Sequence, residues 1–281
     1  MTHPLLRHIL LLTCLALTGP VSAQIDTVFS HWSTLLEDYL IEQPLENGGL
    51  VSAFDYEAAL SADGTSALLR EQREALAGFD PATLETREQA TAFWLNAYNF
   101  FMAAHILEER PDGGLVESVW DYGGRYNPFR ENVFERELFD VGGTMVSLDG
   151  IEKDTLLGES FRQRGWADAR VHFAVNCASV GCPPLRQQAY TADNVNGLLT
   201  ANTRLAFSTP YQLRVEDGTL HLTSLFDWYQ ADFLAEADSI RDFIAQYAGE
   251  SVTGLMRTTS RIEFIDYDWR LNTPEHFPEI P

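Results

Sequence analysis

The stretch from Arg87 to Glu109 constrains this chain more than any other segment. Its middle, Ala92 to Ala104, carries Phe93, Trp94, Leu95, Tyr98, Phe100, Phe101 and Met102 and keeps no polar face at the 3.6-residue period. A helix of that pattern has to be enclosed by other elements, and Pro111 stops it soon after Glu109. Asn96 and Asn99 lie three apart on one face of it. Buried amides must find hydrogen-bond partners, so we expect both to fasten a neighbouring loop.

The rest of the chain supplies the partners. Ile25 to Gln43 reads as an amphipathic helix with Phe29, Trp32, Leu36, Tyr39 and Leu40 on one stripe, and Thr65 to Leu76 as a second. Asp80-Pro81 is a cap followed by proline. Val116 to Asn132, with Pro128, suggests an ordered irregular loop. Val133–Val141 and Thr144–Val146 read as strands around Gly142-Gly143, and Leu213–Val215 and Leu220–Leu222 as strands around Asp217-Gly218. Leu148 to Arg162 reads as a short helix begun by Ser147, Arg170 to Asn176 as a strand, and Ala178 to Leu185 as a loop. Thr191 starts a helix running to about Phe207. A helix from about Asp238 to Tyr247 and a strand from Ile262 to Tyr267 follow. Helices and hairpins in mixed order predict an α+β fold, a mostly antiparallel sheet packed with helices, as a single domain over residues 24–281.

Met1 to Ala23 has one basic residue (Arg7), an apolar run from Ile9 to Leu17, Pro20 and the small-residue ending Val21-Ser22-Ala23. That order matches a secretory signal peptide and predicts a periplasmic or extracellular protein. Pro20 interrupts the run well short of the roughly 20 apolar residues that span a bilayer, so no transmembrane segment is expected after cleavage. Cys14 lacks the small preceding residue of a lipidation site. Without Arg7 the charge becomes 18 − 41 = −23, against −22 for the whole chain. This acidic protein repels phosphate backbones, so no nucleic acid is expected as partner. A cofactor is not expected either, and the partners stay open.

Loss of the leader leaves Cys177 and Cys182. Two thiols this close in an oxidising compartment are a disulfide candidate, and so short a ring contributes roughly 2 kcal/mol as a clamp. The same run, Val171 to Leu185, holds His172 and Asn176 just before a loop with Gly181 and Pro183-Pro184. A cysteine nucleophile needs a base that raises its thiolate fraction, and His172 is the nearest imidazole. On one straight strand, however, five steps separate His172 from Cys177 by about 16 Å and turn them to opposite faces. A bend before Cys177 is required, or else Cys182 is the better partner. Glu152 sits in the first turn of its helix, where it either complements the helix dipole or orients the imidazole. Four-residue gaps among His172, Cys177 and Cys182 fit no strong zinc pattern, so no metal is expected.

Four patterns together resemble the domain-of-unknown-function 547 family. They are Phe93, Trp94, Asn96, Tyr98 and Asn99; Ser147, Leu148, Asp149, Ile151 and Glu152; His172 through Pro184; and Phe226, Asp227 and Trp228. The family-like core covers about residues 85–235. The resemblance raises Glu152, His172 and Cys177 together but supplies no reaction. Many members have a histidine where this chain has Lys153, so a second imidazole is missing there. The leading expectation is a cysteine-dependent hydrolase or acyl-transfer enzyme. In it Cys177 attacks, His172 moves the proton, Glu152 orients the ring and Asn176 donates to an oxyanion. The competing expectation is a non-catalytic secreted binding or scaffold module clamped by Cys177–Cys182. A thiol–disulfide exchange role lies between the two and shows as a readily reversible bridge.

Overall fold

The computed structural model describes Ile25, residues 27–124 and residues 131–281; the leader pattern, Cys14 and Pro128 lie outside the described residues. The central helix forms as its sequence requires. It runs over Arg87–Glu108 (α4), and every residue from Gln89 to Leu107 except Trp94 is buried. Its start is fixed by a capping box, in which Thr86 Oγ1 accepts from Gln89 N at 3.2 Å and Gln89 Oε1 accepts from Thr86 N at 3.1 Å. Earlier elements wrap it: α1 (Ser30–Tyr39), β1 (Leu40–Pro44), β2 (Leu50–Phe54), α2 (Tyr56–Ser61) and α3 (Thr65–Ala77). Phe29 meets Phe93 edge-on at 5.4 Å, and Trp32 meets Phe100 at 5.9 Å.

The amides of α4 act as fasteners. Asn96 donates to Tyr190 O at 2.7 Å and accepts from Tyr190 N at 2.9 Å. Asn99 donates to Ala174 O at 2.9 Å and accepts from Asn176 N at 2.8 Å. Each amide thus holds a piece of distant backbone as a neighbouring strand would.

After α4 come β3 (Phe139–Val141) and β4 (Thr144–Val146), a π-helical turn over Gly150–Leu156, α5 (Glu159–Gln163) and α6 (Val195–Ala206). The chain then runs through β5 (Leu213–Glu216), β6 (Thr219–Thr223), α7 (Leu225–Trp228), α8 (Gln230–Leu234), α9 (Ile240–Tyr247), α10 (Glu250–Met256) and β7 (Arg261–Ile265). The fold is α+β with small, mainly antiparallel sheets. β1 pairs with β2, β3 with β4 and β5 with β6 antiparallel, and β7 joins β6 in parallel. That last pairing follows from the helical connection, since a parallel neighbour needs a crossover. Both expected hairpin turns form, with Asp217 and Gly218 at φ +48° and +70° as a primed turn demands.

Four expected elements differ. The first helix ends at Tyr39 because Leu40–Pro44 pairs with the fully buried β2, from Leu40↔Phe54 to Pro44↔Leu50. The strand expected from Val133 begins at Phe139 because Asn132 Oδ1 accepts from Phe134 N and Glu135 N and turns the chain. The helix expected over Leu148–Arg162 breaks at Gly158, where a Cβ would lie 1.8 Å from Asp154 O. Its first part widens to a π turn in which Leu157 N donates to Glu152 O at 3.0 Å.

The fourth correction matters most. Arg170 to Asn176 is not a strand: Ala169–Phe173 forms a 3-10 helix capped by Asp168, whose side chain accepts from Arg170 N. Val171 and Phe173 belong to two different apolar clusters, the first around α4 and the second built from Phe173, Phe207, Phe226, Phe233 and Phe243. A strand would send both residues to one face, whereas 3-10 steps of about 120° send Val171, His172 and Phe173 three separate ways. His172 thereby emerges between the two cores.

Candidate functional site

A cavity of about 460 Å³ opens where the two clusters meet. Tyr98 reaches it from α4, Asp149, Glu152 and Lys153 from the π turn, His172 from the 3-10 helix, Cys177 and Cys182 from the loop, and Trp228 and Tyr229 from the α7–α8 region. Residues from all four sequence patterns, dispersed along the chain, therefore line one space.

His172 is buried, and both ring nitrogens face carboxylates. Nε2 lies 2.9 Å from Asp232 Oδ2, and Nδ1 lies 3.4 Å from Glu152 Oε1 without an aligned hydrogen bond. Tyr229 stacks on the ring at 4.0 Å and 25°. Burial alone pushes the imidazole pKa down, but the bond to Asp232 and the contact with Glu152 outweigh it and raise the pKa above its ordinary value. The hydrogen bond from His172, helped by Arg162, holds Asp232 below the usual carboxylate range despite partial burial. Asp149 moves the other way: burial raises it even with Lys153 Nζ at 2.8 Å.

The two sulfurs stand at disulfide distance, with Cα atoms 6.3 Å apart. Their surroundings are unequal. Cys182 Sγ accepts from Cys177 N at 3.1 Å, Ser179 N at 3.4 Å and Tyr267 Oη at 3.2 Å, whereas among the described residues Cys177 Sγ has Tyr267 Oη as its one hydrogen-bond partner, at 3.2 Å. Burial, together with the charges of Tyr229 and Glu152, raises Tyr267 well above its ordinary pKa, so the phenol remains a donor. Cys182 is buried, and Cys177 is partly exposed to the cavity.

Backbone pairing secures this loop. Val180 N donates to Arg270 O, Gly181 N to Asp268 O and Asn272 N to Ala178 O. The segment Tyr267–Asn272 thus lies along the cysteine loop and carries Tyr267 and Trp269 to the cavity. Gly181 permits the approach, because a Cβ there would sit 3.0 Å from the Tyr267 ring.

Glu152, His172, Cys177 and Cys182 all line the cavity, and Glu152 stands beside the imidazole as an orienting acid would. No hydrogen bond joins His172 to either sulfur. Asn176 does not line the cavity, which removes the geometric basis for an oxyanion donor. It donates from Nδ2 to Pro183 O at 2.9 Å, and its Oδ1 accepts from Ala178 N and Asn272 Nδ2. Sequence reasoning missed Asp232, Tyr229, Tyr267 and Trp269. The only available signal was the density of aromatic residues around Phe226–Trp228 and Tyr267–Trp269. Among the described residues no cluster of histidine, cysteine and acidic side chains could hold a metal ion, and no helix is long and apolar enough to cross a membrane.

Residues 81–205 match the family model described as "Protein of unknown function, DUF547", which is the family that the residue patterns resemble. The matched stretch includes Glu152, His172, Cys177 and Cys182 and stops before Trp228, Asp232 and Tyr267. No curated protein and no solved structure matches the chain.

Proposed function

We propose that this protein, whose residues 81–205 match the DUF547 family model, is an exported thiol–disulfide exchange enzyme in which Cys177 is attacked and Cys182 leaves. The carrying observation is the asymmetry of donors: among the described residues two backbone N–H groups reach Cys182 Sγ and none reaches Cys177 Sγ, while the Tyr267 phenol stands 3.2 Å from both. Donors so placed stabilise a thiolate, and a better leaving thiolate departs faster. The leader pattern of Met1–Ala23 supports a location outside the cytoplasm.

The steps balance. A small thiolate attacks Cys177 Sγ, a new S–S bond forms, the Cys177–Cys182 bond breaks, and its electron pair goes to Cys182 Sγ. A second thiolate then attacks the substrate sulfur of the mixed disulfide. A small disulfide is released, and Cys177 is left as a thiolate. The two protons lost by the substrate thiols end on the cysteines, and the reverse sequence reoxidises the pair. Acyl transfer or hydrolysis is less well supported, because both imidazole nitrogens point to carboxylates and no base adjoins a sulfur.

The test uses reduced protein and a small chromogenic disulfide. Cys182→Ser is expected to retain a stable mixed disulfide on Cys177, seen as an intact-mass adduct, whereas the native chain releases both equivalents of thiol. Equal, slow reaction of both cysteines, no faster than in the urea-unfolded chain, sinks the reading in favour of an inert clamp. Tyr267→Phe is expected to slow reduction of the oxidised protein by dithiothreitol by about tenfold, the effect of roughly 1.4 kcal/mol lost from a charge-assisted bond. An unchanged rate would remove the phenol from the mechanism.

A further inference from the structure

We infer, on the basis of the exchange reading, that the exchange partner is a small disulfide or thiol bearing a flat group that is uncharged or cationic. Size comes first: about 460 Å³ lies in the range of pockets that take small organic molecules. The walls supply the second argument. Trp228 and Trp269 lie nearly parallel, 17° apart with centroids at 5.8 Å, while Tyr267 touches Trp269 at 4.5 Å and Trp120 touches it at 5.0 Å. Trp228 is 47% exposed, so one large ring of this wall stays open beside the sulfurs. Rings arranged this way favour another flat group by offset or edge-to-face contact.

Charge supplies the third argument. Glu135, Asp149 and Glu152 line the cavity. The Lys153 ammonium is held at Asp149, and the His172 ring is enclosed between Glu152 and Asp232. Among the described residues the lining thus sets three carboxylates against one ammonium and one imidazole, and the chain adds a net charge of −22. An anionic group entering beside Cys177 therefore meets repulsion, while a neutral or positive ring does not.

The experiment compares three disulfides on the reduced full chain: 4,4′-dithiodipyridine (flat and neutral), 5,5′-dithiobis(2-nitrobenzoate) (flat and anionic) and cystamine (cationic, without a ring). Each rate is divided by that of the same disulfide with the urea-unfolded chain, which cancels intrinsic reactivity. The normalised rate is expected to be at least about fivefold higher for dithiodipyridine than for each of the others. Trp228→Leu should lower the advantage over cystamine, and Glu135→Gln should narrow the gap to the nitrobenzoate. Equal normalised rates above one overturn this inference and leave the exchange reading intact, as does preference for the nitrobenzoate or for cystamine. Normalised rates no greater than one for all three overturn both.

Discussion

Replacement of His172 by alanine is expected to lower folding stability by about 3–5 kcal/mol, the range for removing one partner of a buried ion pair. The imidazole stands between Glu152 at 3.4 Å and Asp232 at 2.9 Å, and without it two carboxylates face each other in a largely buried space. The loss depends on pH in a defined sense. Burial disfavours the imidazolium, yet Asp232 and Glu152 leave the His172 pKa raised in the fold, so the native state holds this proton more tightly than the unfolded chain. The contribution is complete below the unfolded value of about 6.5 and is lost as pH rises through the higher folded value. Asp232, lowered by His172, behaves in the opposite way. Its contribution is present above about 3.9 and is lost as pH falls through the lowered folded value. Urea unfolding of native and His172→Ala chains should therefore show a wider gap at pH 5.5 than at pH 9. An identical gap at both would mean that the ring carries no charge in the fold.

The second large effect is expected at Asn99. Its side chain bonds Ala174 O and Asn176 N, the backbone between His172 and Cys177. Asn99→Leu keeps the volume but leaves one buried acceptor and one buried donor unpaired, each worth about 1–3 kcal/mol, or about 2–6 kcal/mol together. Asn96→Leu is the matched control, since it strands Tyr190 N and O in the same manner but away from the sulfurs. Both variants should lose similar stability in urea, and only Asn99→Leu should also slow thiol exchange at a temperature where each remains folded. Equal exchange rates would show that the cysteine loop keeps its shape without that amide.

These two residues also show how much of the molecule could be read from the chain. The burial of α4 and the fastening role of its asparagines follow from one local pattern, so sequence sufficed. The hairpin turns were legible for the same reason. The site was half legible: Glu152, His172, Cys177 and Cys182 came from motifs and do share a cavity, but their partners did not. Asp232 meets His172 across 60 positions and Tyr267 meets Cys177 across 90, and no local spacing encodes either contact. The error at Arg170–Asn176 has a different origin. Apolar residues at 171, 173 and 175 imitate strand alternation, whereas their true demand comes from two separate cores on different sides of a tight helix. Periodicity reports a single buried face and is misled where a segment serves two.

The central claim is that the donors around Cys182 favour the reduced pair by holding a thiolate. Its most direct measurement is equilibrium titration of the native chain in dithiothreitol redox buffers, with alkylation and intact mass reporting the state of Cys177 and Cys182. Reversible reduction is expected at potentials above about −300 mV, in the range of exchange enzymes. A pair that stays oxidised until potentials well below that value would be a structural clamp, in contradiction to the account.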